Sequence, residues 1–149
     1  MSMFEIVFSP TGGTEKVSGL VTGALDGNIV TVDLTDSGLD FHGVSMAKGD
    51  VAVISVPSYA GRVPAVAVER LGMVRGNGAR AVLVCVYGGR AFEDTLIELE
   101  DVAKRAGFRV VAAVSAIAEH SVARQFAAGR PDAQDVAQLS EFAQRIRQK

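Results

Sequence analysis

The sequence predicts an α/β fold: a five-stranded parallel sheet in the order 2-1-3-4-5, with helices on both faces as a three-layer sandwich. Three observations carry this expectation. Five short apolar runs alternate with stretches whose apolar residues recur at helical spacing. The runs hold few polar residues, as strands do when both of their faces are covered. Parallel neighbours also need crossovers, and the intervening helical stretches supply them. In an open sheet of that order, ligands sit beyond the carboxyl ends of the strands, at the switch point between strands 1 and 3. No repeat, low-complexity segment or linker divides the 149 residues, so a single domain over 1–149 is expected.

The first strand is expected over residues 3–8, in Phe4-Glu5-Ile6-Val7-Phe8. A helix follows from Thr14 to Leu25, with Val17, Leu20, Val21 and Ala24 at helical spacing, and Asp26-Gly27-Asn28 ends it with turn chemistry. Ile29-Val30-Thr31-Val32-Asp33 is the second strand. Residues 35–49 carry Gly38, Gly43 and Gly49 and read as loop, with room for a helical turn. Val51-Ala52-Val53-Ile54-Ser55-Val56 is the third strand. Pro64 suits a first helical position, and its helix continues through Ala65, Val68 and Leu71 until Gly72, Gly76 and Gly78 break it. Ala81-Val82-Leu83-Val84-Cys85-Val86-Tyr87 is the fourth strand. A helix over 92–106 sets Leu96, Leu99, Val102 and Ala103 on one face, and Gly107 stands where a C-cap glycine belongs. Arg109 to Ile117 reads as the fifth strand. Residues 118–131 are ambiguous. Asp132 is the expected N-cap of a last helix to 147, with Val136, Leu139, Phe142 and Ile146 facing the core.

Composition narrows the function classes. Hydrophobic residues make up 48% of the chain, so a packed core is expected rather than disorder. Fifteen basic residues against 17 acidic ones leave a net charge of −2, too balanced to argue for nucleic acid binding. No apolar run approaches the ~18 residues that a membrane span needs. No basic segment followed by an apolar core opens the chain, so the expected location is cytoplasmic. The single cysteine, Cys85, lies in an apolar run and packs as a small hydrophobe. There is no Cys/His cluster for a metal and no Ser/His/Asp arrangement. His42 falls in the irregular stretch and is expected at the surface. His120 follows strand five, and its alternatives are a surface position or reach toward the rim.

The chemistry collects in three loops. Ser9-Pro10-Thr11-Gly12-Gly13-Thr14 joins the first strand to the first helix. Glycines let the backbone approach an anion, and the N–H groups of a first helical turn point at it. The hydroxyls of Ser9, Thr11 and Thr14 add donors. The P-loop pattern and the dinucleotide pattern Gly-x-Gly-x-x-Gly are both absent. A loop rich in hydroxyls and poor in cations suits one phosphate monoester. Simple capping of the helix by Ser and Thr remains the alternative. Pro57-Ser58-Tyr59-Ala60-Gly61-Arg62 and Tyr87-Gly88-Gly89-Arg90, with Phe92, follow the third and fourth strands. Aromatic faces and open glycine backbone are what a flat heteroaromatic ring needs for stacking and edge bonding.

These three segments resemble the phosphate loop and the two ring loops of flavodoxins, and the similarity extends over nearly the whole chain. It is strongest to the flavodoxin domain that precedes a two-cluster ferredoxin domain in some anaerobe-type proteins. Glu119-His120-Ser121 and Ala128-Gly129-Arg130-Pro131-Asp132 share in it. No cysteine-rich extension follows, so the flavin half alone is expected. The resemblance implies a flavodoxin-like fold and FMN as cofactor. It implies Ser9, Thr11, Gly12, Gly13 and Thr14 on the phosphate. It also implies Pro57, Ser58, Tyr59, Ala60 and Gly61, and Tyr87, Gly88, Gly89, Arg90 and Phe92, around the ring. Tyr59 or a neighbour would face one side of the ring, and Tyr87 or Phe92 the other. Gly61 matches the position whose peptide turns over on reduction to bond flavin N5–H, a motion that glycine permits.

The implied function is electron transfer with a redox partner, a ferredoxin or a flavin reductase, by a monomer or weak dimer. An FMN-dependent NAD(P)H:quinone-type reductase on the same fold is the alternative, and an interaction domain with an empty site a third. The chain departs from acidic flavodoxins in lacking Trp and in placing Arg62 and Arg90 in the ring loops. Those charges would favour an anionic reduced flavin, unless both arginines point to solvent.

Overall fold

Strand pairing follows from the β-branched runs. In the computed structural model, the described residues are 3–9, 14, 18–19, 22, 29–58, 62–87 and 93–117. They form β1 (Met3–Val7), β2 (Ile29–Asp33), β3 (Val51–Pro57), α1 (Ala65–Leu71), β4 (Arg80–Tyr87), α2 (Glu93–Arg105) and β5 (Arg109–Ile117). A 3-10 turn, Phe41–Gly43, supplies the helical turn expected in the irregular stretch. The strands are parallel throughout and lie in the order β2-β1-β3-β4-β5. This is the flavodoxin-like α/β architecture that the sequence predicts.

The bounds of β2 and β5 coincide with the sequence reading. β4 begins one residue earlier, at Arg80, and β3 runs on through Pro57. β1 ends at Val7, although the Phe8 N–H still donates to the Ser55 carbonyl at 3.0 Å. The turn at 26–28, the stretch 118–131 and the last helix lie outside the described residues.

Successive residues of a strand point to opposite faces. On one face, Ile6, Phe8, Val32, Leu34, Ala52, Ile54, Val56, Ala81 and Leu83 pack with α1 and α2. The helices contribute Ala67 and Leu71, then Leu99, Val102 and Ala103. Each fully buried leucine here adds about 2 kcal/mol of transfer free energy. On the other face, Met3, Val7, Val51, Val53, Val82, Val84 and Val86 are also buried. There Ser18 and Thr22, both helical, are hydrogen-bonded to the sheet. Both faces are therefore covered, which explains why the central strands show no polar alternation.

Two details of the helices differ from the sequence reading. Pro64 is the cap before α1, with ψ at 135°, and not its first helical residue. Its carbonyl accepts from the Val68 N–H at 3.1 Å. Ala65 is exposed, and Ala67 takes its place on the buried face. In α2, Leu96 is half-buried and Ile97 is 67% exposed. Arg70 of α1 donates from Nη1 to the Leu34 carbonyl at 2.6 Å, with its guanidinium 5.6 Å from the centre of the Phe41 ring. That contact holds α1 to the chain leaving β2.

At the amino end of the strands, the link from α1 to β4 packs directly on the end of α2. The Gly76 N–H donates to the Ala106 carbonyl and the Gly78 N–H to the Gly107 carbonyl, both at 2.8 Å. Gly107, at φ 97°, is the helix-ending glycine expected from the sequence. A Cβ on Gly76 would meet the Phe108 nitrogen at 2.6 Å and the Gly107 carbonyl carbon at 2.7 Å. Both are backbone atoms, so neither can step aside cheaply. Gly76→Ala is expected to destabilise the protein by about 1–3 kcal/mol in a urea titration. Gly49→Ala, where a Cβ meets nothing within 4 Å, should leave the midpoint within experimental scatter.

Candidate cofactor site

The order of the strands brings three strand exits together. β1, β3 and β4 are consecutive neighbours, so the chain leaves all three at the same edge of the sheet. The bond from Phe8 to Ser55 ties the first exit to β3. The Ser58 N–H, donating to the Val86 carbonyl at 2.9 Å, ties the second exit to β4. Ser9 is half-buried just past β1, and Ser58 is buried just past β3. Tyr87 is the last residue of β4. Pro57, read from the sequence as a loop residue, is instead the last residue of β3 and pairs with Val86. At the end of a strand its missing N–H removes little from the ladder.

Thr14 is helical and buried. Of the other predicted residues, Thr11, Gly12, Gly13, Tyr59, Ala60, Gly61, Gly88, Gly89, Arg90 and Phe92 lie outside the described residues, as does His120. Of the residues at the three strand exits, Ser9, Pro57, Ser58 and Tyr87 are described, and they lie on one rim.

Two residues that the sequence reading missed support this rim. Thr95, in the first turn of α2, is fully buried, and its hydroxyl lies 2.7 Å from the Ser58 hydroxyl. The pair joins the exit of β3 to the helix that follows β4. A hydroxyl residue on the apolar side of a helix was the signal available for it. Glu98, one turn further along α2, accepts from Arg62 through Nε at 3.1 Å and Nη2 at 2.8 Å, and from the Val63 N–H at 2.8 Å. The Arg62 hydrogen bond holds the Glu98 carboxyl below its ordinary range against the opposing effect of burial, with a lesser lowering from the Val63 N–H. Arg62 is thus an exposed residue, 71% accessible at its side chain, whose charge is countered by Glu98. This differs from an uncompensated cation at the rim.

Apart from the paired Arg62 and Glu98, the polar groups described at this edge are neutral hydroxyls and backbone amides. They suit an anion or a ring edge held by directed hydrogen bonds. Among the described residues no group of three or more His, Cys, Asp or Glu could hold a metal ion, and no helix is long and apolar enough to cross a membrane. Cys85 is fully buried, and desolvation pushes its thiol up to about 12. It packs as a small hydrophobe, as its sequence context suggests. His42 is exposed on the 3-10 turn. A shallow depression of about 480 Å³, lined in part by His42, Arg75, Asn77 and Arg105, lies at the amino end of the strands and includes none of the predicted site residues.

No protein-family model matches this sequence, and no curated protein does. Solved structures do match over nearly the whole length. Oxidised flavodoxin 1 from Bacillus cereus aligns over 97% of this chain and 95% of its own, with a TM-score of 0.69 at 15% identity. Two-electron reduced flavodoxin from Megasphaera elsdenii aligns over 96% and 98%, with a TM-score of 0.64 at 17% identity. An azoreductase from Bacillus anthracis aligns over 99% of both chains, with a TM-score of 0.64 at 11% identity. At such identities the likeness is one of fold: the chain has the flavodoxin-like fold.

The Arg62–Glu98 pair makes a pH-dependent contribution with a defined sign. The Glu98 carboxyl is lower in the folded state than its ordinary 4.5, so the stabilisation is present above that value. It is lost as pH falls through the lowered folded-state value. Glu98→Gln is expected to cost about 1 kcal/mol or less near neutrality, because the Arg62 partner is largely exposed to solvent. The gap between the two urea midpoints should close progressively in acid.

Proposed function

We propose that this chain is a small FMN-binding electron carrier of the flavodoxin type. The reading starts from the flavodoxin-like fold. The observation that carries it is the meeting of three strand exits on one rim, each followed in the sequence by a loop suited to part of FMN. Ser9, Thr11, Gly12, Gly13 and Thr14 would hold the phosphate through hydroxyls, open backbone and the start of a helix. Pro57, Ser58, Tyr59, Ala60 and Gly61 would form one side of the ring slot, and Tyr87, Gly88, Gly89, Arg90 and Phe92 the other. Bound FMN would supply the electron chemistry, and the protein would tune it through contacts, charge and water access.

The described residues fit these roles. Neutral hydroxyls can satisfy phosphate oxygens without a lysine. The Ser58–Thr95 bond fixes the second loop's point of departure. The Arg62–Glu98 pair leaves little net charge beside that loop. Electrons would be exchanged with a ferredoxin or a flavin reductase, in the cytoplasm, by a single-domain monomer or weak dimer.

The likeness to an azoreductase favours a second reading, an FMN-dependent NAD(P)H:quinone-type reductase on the same fold. Rapid bleaching of the bound flavin by NADPH alone would select the enzyme. Slow bleaching by NADPH, with fast reduction through an added reductase, would select the carrier.

The direct test is a titration of the purified protein with FMN. A yellow protein that releases FMN on denaturation, or that takes up one FMN in a calorimeter, is expected. Gly12→Asp should abolish binding, because it adds bulk and a like charge where the phosphate would sit. A protein that ignores FMN would overturn the reading.

A further inference from the structure

Glu5 stands in the middle of β1, on the sheet face that also carries Met3 and Val7, and is 8% exposed. Among the described residues no lysine, arginine or histidine pairs with it. Hydroxyls surround its carboxylate instead. Ser18 donates from Oγ to Oε2 at 2.9 Å. The Thr22 Oγ1 lies 3.4 Å from the same oxygen, with the Ser18 carbonyl nearer to it at 3.1 Å. Thr31, its register partner on β2, donates from Oγ1 to Oε1 at 3.5 Å. Ser55 of β3 donates from its hydroxyl to the Ser18 Oγ at 2.8 Å. Three strands and the helical segment of Ser18 and Thr22 therefore converge on one carboxylate.

A buried carboxylate without donors costs several kcal/mol. The donors must consequently stay where they are. Ser18 donates to Glu5 and accepts from Ser55, so it fixes where its segment sits on the sheet, and Thr22, one helical turn on, presents its hydroxyl to the same carboxylate. Thr14 lies one turn earlier on the same face, and it too is buried. A slip of one residue along the helix would carry Thr14 by about 1.5 Å and turn it by about 100°.

We propose that Glu5 is a positioning residue: it sets the register of this helical segment on the sheet, and through it the place at which Thr14 meets the phosphate of FMN. The proposal rests on the FMN reading above. It assigns the cluster to the phosphate end of the ligand, and so to discrimination between FMN and riboflavin, which carries the same ring without the phosphate. An apolar side chain at this position would leave the helix held by non-directional contact, which tolerates such slips.

The test compares apo wild type, Glu5→Gln, Glu5→Leu and Ser18→Ala in titrations with FMN and with riboflavin, followed by quenching of flavin fluorescence. Urea unfolding of the same apo samples shows that each is folded. Glu5→Leu should weaken FMN about tenfold and Ser18→Ala about threefold, with riboflavin affinity changed by less than about twofold. Glu5→Gln, which keeps an acceptor oxygen and the side-chain volume, should restore most of the FMN affinity. Equal losses for both flavins, or unchanged FMN affinity in folded variants, would overturn the positioning role while leaving the FMN reading intact. Should Glu5→Leu not fold, Ser18→Ala decides by the same two criteria. A wild type that binds neither flavin overturns the FMN reading and takes the positioning role with it.

Discussion

Parallel pairing of β1 with neighbours on both sides is the constraint from which the rest of the molecule follows. A parallel neighbour can be reached only by carrying the chain back across the sheet. β2 and β3 flank β1, so each of the first two returns must be made before the next strand can pair. The returning segments bury both faces, which leaves the strands free to be almost wholly apolar. They also assign different tasks to the two ends of the sheet. At the amino end, returning chain packs against backbone, as Gly76 does against Phe108. At the carboxyl end, the exits of three adjacent strands stand together, with hydroxyls at Ser9 and Ser58 and one compensated ion pair, Arg62–Glu98, among their described residues.

Within that frame the two faces of the sheet are held differently. α1 and α2 dock through aliphatic side chains, a contact that is strong but tolerant of small displacement. The segment carrying Ser18 and Thr22 is bonded through hydroxyls to a carboxylate and to Ser55. Hydrogen bonds of this kind prefer narrow ranges of length and angle. Directional contacts of the same kind recur at the rim, where Ser58 meets Thr95 and Glu98 takes three donors from Arg62 and Val63. Polar bonds are therefore placed where position matters, and apolar contact supplies the bulk of the cohesion.

The strands were legible in the sequence because valine, isoleucine and alanine crowd into short runs with glycine, proline or aspartate between them. β5 is a clear case: Gly107 closes the preceding helix, and the strand begins two residues later. Arg80 falls outside the predicted β4 because a charged residue at the start of an apolar run looks like loop. Pro57 falls outside the predicted β3 because proline reads as a breaker, which holds in the middle of a ladder and not at its end. The polar stripe at Thr14, Ser18 and Thr22 was hidden because periodicity is scored on apolar residues, and these three are spaced four apart without being apolar. Ser58–Thr95 and Arg62–Glu98 span 37 and 36 residues, separations at which no local pattern announces a contact. Glu5 is a charged residue in an otherwise apolar run, with no role assigned to it from the sequence. What it does there depends on Thr31 and Ser55 from two other strands, and only the sheet register places those beside it.

The placement of Cys85 has a consequence for how the protein behaves in air. Its sulfur is sealed inside β4 and holds its proton far above neutral pH. Thiolate is the form that attacks peroxides and disulfides. With one cysteine in the whole chain, the folded protein offers neither an intramolecular crosslink nor a ready nucleophile for covalent pairing. Any disulfide-linked dimer that accumulates on storage must therefore have formed from molecules whose sheet had opened, so its amount is a record of past unfolding.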